Sequence, residues 1–208
     1  MALTKSNISV MDWTVIAVQS VQVSPVISVA GNYDTTLHID CACAGSVASF
    51  TGTELFVQMR GQADVNDSWT TLTRFAGPAV SAPLTLAVTT SFASGVNSIP
   101  IALSTVSLKF GKQIMIEDGT VANSEIAYVV ASNSTGLMTI LDPLTHPHTS
   151  TALIYSSDLE NAQGECVIAA PVSIPFTADS VRVLINNNLD VSANRALVKI
   201  RMSRVTAI

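Results

Sequence analysis

Apolar and polar positions alternate with a period of two along most of this chain. In "TLHIDCACAG" Leu37, Ile39, Cys41 and Cys43 fall on one side of the alternation and His38 and Asp40 on the other, the signature of a half-buried strand. "GTELFVQMRGQ" repeats the pattern, with Leu55, Val57 and Met59 apolar on one face and Phe56, Gln58 and Arg60 mixed on the other. In "RALVKIRMSRV" the residues Val198, Ile200 and Met202 alternate with Lys199, Arg201 and Ser203. No segment shows a 3.6-residue apolar period, so helix content is expected to be negligible.

The punctuation between these runs divides the chain. "TVIAVQSVQV", "PVISVAG", "TTLHIDCACA", "GTELFVQMRGQ" and "SWTTLTRFAG" are separated by turn residues such as Gly31-Asn32 and Gly45-Ser46, a spacing that predicts an antiparallel sandwich. "GPAVSAPLTLAV" turns to Pro, Ala and Ser and reads as a linker or extended crossing. Four or five shorter strands follow in about sixty residues, with Asp118-Gly119 as a two-residue hairpin signal and Ser134-Thr135-Gly136 as the next turn. The last runs, "CVIAAPVSIPF", "DSVRVLINN" and "RALVKIRMSRV", are long again. Three strands alone cannot close a core, whereas added to the N-terminal ones they complete two sheets. The expected architecture is therefore all-β: an antiparallel Ig-like or jelly-roll-like sandwich built from residues 1–88 and 159–208, with a small β-barrel inserted at 95–157.

Candidate chemistry does not rise above this scaffold. Cys41 and Cys43 point to the core while His38 and Asp40 point away, so the four cannot converge on a metal. Residues two apart on a strand face lie roughly 6.5 to 7 Å apart, too far for a disulfide. The chain has three cysteines and no paired framework, which suits assembly in a reducing compartment. Cys41, Cys43 and Trp69 are expected as core anchors. Glu117, Asp118 and Glu125 flank one hairpin, but no calcium loop surrounds them; His146-Pro147-His148 lacks the HExxH context of a metal site. No nucleophile elbow, P-loop or dinucleotide fingerprint occurs. The expectation is a protein with no catalytic residues, cofactor or metal; a hydrolase would have to draw on Asp118, Glu125 or His148.

Composition narrows the partners. Only 12% of residues are charged and 48% are hydrophobic, leaving much of the surface neutral or apolar, as in a subunit of something larger. Net charge is −5, which disfavours a general nucleic-acid binder. The basic residues gather late, at Arg182, Arg195, Lys199, Arg201 and Arg204, and mark a candidate docking or oligomer surface. No run of eighteen apolar residues exists and "MALTKSNISVMDW" is broken by Asn7 and Asp12, so neither a transmembrane helix nor a signal peptide is expected.

The segment "KFGKQIMIEDGTVANSEIAYVVASNSTGLMTILDPLTHPHTSTALIY", flanked by "GTELFVQMRGQADVNDSWTTLTRF" and "DSVRVLINNNLD", resembles structural proteins of tailed-bacteriophage virions. The resemblance implies a non-enzymatic virion component, and in particular a capsid decoration or cement protein. Such a protein is often a trimer that clamps the major capsid protein or other virion proteins, in a virion assembled in the host cytoplasm. It also implies that the sandwich docks while the barrel projects. A neck, tail, baseplate or fibre component uses the same modules. A carbohydrate-binding sandwich is the competing class, with Trp13 or Trp69 and Tyr33 as its stacking surface; the 5% aromatic content weighs against it.

Overall fold

The computed structural model describes residues 2–44, 49–50, 52–61, 68–78, 80–81, 84–102, 111–132, 136–156, 167–188 and 195–207, and for residues 43, 44, 49, 50, 80, 81, 84 and 195 the backbone alone. The N-terminal part holds β1 (Leu3–Ile16), β2 (Ser20–Val23), β3 (Ile27–Ser28), β4 (Asn32–Ala44), β5 (Ser49–Phe50), β6 (Thr53–Gly61), β7 (Thr70–Ala76) and β8 (Val80–Ser81). The middle holds β9 (Leu84–Ala87), β10 (Ser98–Pro100), β11 (Gln113–Glu117), a 3-10 turn η1 (Val121–Asn123), β12 (Glu125–Ser132), β13 (Leu137–Ile140) and β14 (Leu153–Ser156). The C-terminal part holds β15 (Val167–Ser173), β16 (Ala178–Asn187) and β17 (Arg195–Ala207). The chain is an all-β antiparallel sandwich carrying a barrel-like sheet, and its described residues include no α-helix.

The sandwich interleaves early and late strands. Its first sheet runs β1-β17-β4-β15 and its second β2-β16-β6-β7, with β3 also pairing β16. Hence β17 separates β1 from β4 and β16 separates β2 from β6, so neither sheet closes without the C-terminal strands. The alternation read from the sequence sets which side is buried. Ile39, Cys41, Val198 and Ile200 from one sheet meet Leu55, Val57, Val183 and Ile185 from the other, all fully buried. Each such aliphatic side chain contributes about 1.5–3 kcal/mol through burial. Cys41 lies within this core; of Cys43 only its place in β4, opposite Ala196, is described.

The second sheet is tied to the first by one buried amide. Asn187 Nδ2 donates to the carbonyls of Ile16 (2.9 Å) and Ala17 (3.1 Å), and its Oδ1 accepts from Thr53 Oγ1 at 3.3 Å. Beside Thr53, Gly77 N–H donates to the Thr53 carbonyl at 2.8 Å. A Cβ on Gly77 would stand 2.8 Å from Thr53 Cβ and 3.0 Å from its Cγ2. Gly77→Ala is therefore expected to cost about 1–3 kcal/mol as overpacking, read as a lowered urea midpoint with an unchanged slope. A midpoint matching the parent protein would show that the β6–β7 edge yields without cost.

The middle strands form a six-stranded sheet in the order β10-β13-β12-β11-β14-β9. Its two edges meet through the Val88–Ile101 bridge, where Thr89 N–H donates to Pro100 and Ala102 N–H to Ala87, which curls the sheet into a barrel. Ile114, Ile116, Met138, Ile140 and Ile154 fill its interior. The other side of this sheet does not stand free, because Met115 and Tyr155 enter the sandwich core with Val121 and Ile126 packed against it.

Three expectations are corrected here. "GPAVSAPLTLAV" is not simply a linker: Leu84–Ala87 is β9, paired with β14, and Leu86 and Val88 lie in the barrel interior. Asp118-Gly119 is not a two-residue hairpin turn, since η1 widens the link between β11 and β12. Trp69 belongs to neither core. It is half-buried on the outer side of the second sheet, with the Arg182 guanidinium 4.2 Å and the Arg60 guanidinium 5.4 Å from its ring centroid, because the β16–β6–β7 register puts these side chains on one outward face.

Candidate functional site

The structure brings together three of the residues that the sequence scattered. Asp118 follows β11, Glu125 opens β12 and His148 lies in the segment between β13 and β14. The His148 ring is fully buried between two carboxylates: Nε2 is 2.8 Å from Glu125 Oε1 and Nδ1 is 3.3 Å from Asp118 Oδ2. Phe92 packs on the ring at a centroid distance of 5.2 Å. The backbones of His148 and Phe92 exchange both hydrogen bonds, at 2.9 and 3.0 Å, which holds the two residues side by side.

Every carboxylate oxygen of the trio is already engaged. Glu125 Oε2 accepts from the Thr145 N–H and hydroxyl, both at 2.9 Å, and Oε1 accepts from the His146 N–H at 3.2 Å as well as from the ring. Asp118 Oδ1 accepts from Thr120 N–H and Oδ2 from Thr149 N–H, each at 3.1 Å. A catalytic base needs an open lone pair and room for a substrate. The fully buried His148 ring has no such room, and the two carboxylates stand on opposite sides of the imidazole, so they cannot share a metal. Among the described residues no cluster of His, Cys, Asp and Glu could hold one. What the geometry can do is clamp, joining the β11–β12 link, the start of β12 and residues 145–149.

Burial alone would raise the pKa of Glu125, but hydrogen bonds from the His148 ring, the Thr145 backbone and hydroxyl and the His146 N–H outweigh it and hold the carboxyl below its ordinary value. A folded value below the unfolded one means that ionised Glu125 stabilises the fold above the ordinary carboxylate range. That contribution is lost as pH falls through the lowered folded value. The thermal midpoint is expected to drop as pH falls from about 5 to about 3, and to drop less in Glu125→Gln. Parallel curves for the two proteins would count against the clamp.

The basic residues do not form one surface. Arg182 sits on the outer face of the second sheet, its Nε donating to Gln58 Oε1 at 2.9 Å. Lys199 and Arg201 lie on the outer face of the first sheet, where Arg201 pairs with Asp40 at 2.7 Å and the Lys199 ammonium stands 6.0 Å from the Trp13 ring centroid. Arg204 Nε donates to Ser6 Oγ at 3.3 Å, and for Arg195 only the backbone is described. On the first sheet, His38 Nε2 comes within 3.3 Å of Ser203 Oγ, which donates its proton to Asn7 Oδ1 at 2.8 Å. The hydroxyl proton is thus directed away from the imidazole, so the pair is not arranged to activate a serine.

The stacking surface of a sugar binder is not assembled either. Trp13 is 6% exposed and belongs to the core, Trp69 lies under Arg182, and Tyr33 is an exposed ring at the start of β4.

No protein-family model matches the chain, and no curated protein does. Among solved structures it is similar to VP17, a capsid protein of bacteriophage P23-77, at 10% identity and a TM-score of 0.23, covering 100% of this chain and 98% of that one. It is similar to a structure of infectious bursal disease virus Gx strain at 12% identity and a TM-score of 0.27, covering 99% and 81%. A crystal structure of the VP2 subviral particle of infectious bursal disease virus matches at 11% identity and a TM-score of 0.28, covering 97% and 81%.

Proposed function

We propose that this protein is a non-enzymatic structural component of a virus particle, acting as a capsid decoration or cement protein that binds and stabilises the head shell. The observation that carries the structural role is apolar surface left uncovered on a scaffold whose two cores are already filled. Phe176 is 85% exposed, and Val21, Val23 and Val26 are 59%, 44% and 57% exposed along one edge of the second sheet. In a chain this poor in charge, such groups are suited to burial by neighbouring proteins. The resemblance of the sequence to tailed-phage structural proteins supports a virion role.

The test is to mix the purified protein with empty phage shells and to sediment them. Saturation at a fixed ratio, with a raised melting temperature of the shell, is the expected result. Binding to tails while ignoring shells would transfer the role to the neck or tail, and indifference to both would overturn it.

A further inference from the structure

We infer that β2 pairs edge to edge with β2 of a second copy of this chain, antiparallel and two-fold, joining the second sheets of the two molecules into one; the inference rests on the structural role proposed above and names a partner. Among the described strands β2 is paired by β16 on one side and forms the edge of its sheet. An edge strand presents a row of backbone donors and acceptors to any chain that can lie beside it. Proteins blunt such edges with charge, proline or bulges, and the other described edges of the sandwich carry these devices. β1 carries Lys5, Asp12 and two register shifts against β17, β15 carries Pro171, and β7 carries Arg74. β2 carries none of them. Instead Val21 and Val23 are 59% and 44% exposed, and Val26 just beyond the strand is 57% exposed.

The sequence of the strand selects the occupant. Ser20-Val21-Gln22-Val23-Ser24 reads the same in both directions, so two copies laid antiparallel about Gln22 are self-complementary. Val21 of each copy then faces Val23 of the other, a pairing of β-branched side chains that sheets favour. Gln22 faces its own counterpart, and because a carboxamide both donates and accepts, the two satisfy each other. This register opposes both valines at once, and a shift in either direction breaks it. Charge raises no obstacle, since no charged residue stands between Asp12 and Asp34. Arg182, Arg60, Glu54 and Arg74 lie on β16, β6 and β7, at least one strand spacing of about 4.8 Å behind the edge. A partner with a charged strand would find no counter-charge here, whereas a second copy needs none. A two-fold contact uses the same patch on both molecules and closes at two, so the expected species is a dimer, distinct from the trimer that the sequence resemblance implies. With four residues in each strand the contact is small, so the dimer is weak in solution and strengthens where a particle holds copies side by side.

In light scattering, the mass of the intact protein is expected to rise from monomer toward dimer between about 10 μM and 1 mM. Val21→Lys with Val23→Lys sets ammonium against ammonium, and Val21→Glu with Val23→Glu sets carboxylate against carboxylate. Each double variant should weaken dimerisation by about tenfold or more, and an equimolar mixture of the two should restore it. Both positions are exposed, and circular dichroism checks that the variants are folded. Cysteine pairing reads the register. Gln22→Cys sets two thiols opposite each other across the two-fold axis, within disulfide reach, so mild oxidation should link it into dimers several-fold more than the parent protein with its own three cysteines. Val21→Cys and Val23→Cys should link poorly alone and well when mixed. A parent protein that stays monomeric throughout, an oligomer indifferent to the lysine and glutamate pairs, or Val21→Cys linking to itself as readily as to Val23→Cys overturns the inference. A monomer that still saturates shells would leave the decoration role intact, whereas a β2 dimer that binds no virion part would keep this contact and overturn that role.

Discussion

A fragment of residues 1–88 is expected not to fold. It contains β1 and β4 without β17, the strand that joins them, and β2 and β6 without β16. Among the described strands only the β6–β7 hairpin and the two-residue β5–β8 pairing keep their ladders, and a lone two-stranded hairpin is marginal in water. The lost partners include Val183, Ile185, Leu197, Val198 and Ile200, all fully buried in the intact protein. At about 1.5–3 kcal/mol for each buried aliphatic side chain, their removal is comparable to the whole of the roughly 5–15 kcal/mol net stability of an ordinary domain. The amide spectrum of the fragment should be collapsed and broad, and the fragment insoluble or molten. A well-dispersed spectrum would sink the idea that strands after Glu160 complete the sandwich.

The second large effect is expected at His148. Removing the imidazole leaves Asp118 and Glu125 facing an emptied, buried site, and leaving a buried polar group without its partner costs about 1–3 kcal/mol, more for a charged one. His148→Ala should lower stability by that amount in urea titration. His148→Leu refills much of the volume against Phe92 but still strands both carboxylates, so it should be nearly as damaging. If the leucine variant came within about 1 kcal/mol of the parent protein, packing rather than charge would be what holds residues 145–149.

These two cases show what could be read from the chain. β4, β6 and β17 were legible because each has one face against the core and one toward solvent, so burial imposes a period of two on the letters. β9 was hidden because Pro, Ala and Ser dominate its surroundings, and only the spacing of Leu84, Leu86 and Val88 marked it. Asp118 was misread because an Asp-Gly pair fits a short-range turn rule, whereas in the fold its carboxylate serves Thr120, Thr149 and His148. No local pattern could join Asp118, Glu125 and His148, since the β11–β12 pairing and a crossing to β14 bring them together. Trp69 was expected inside because it is large and apolar; its arginine cover comes from a register between strands far apart in sequence.

The place of β17 also governs how the molecule must come into being. On a ribosome, β1 and β4 emerge long before the strand that pairs with both, so the first sheet stays open until synthesis is nearly complete. Pairings this distant along the chain slow folding through the cost of closing long loops, and the waiting strands expose unpaired edges that recruit other chains. Yield in cells should therefore respond to translation rate and chaperone supply more than to the final stability of the fold. The barrel, whose strands lie closer together in the chain, has the shorter wait.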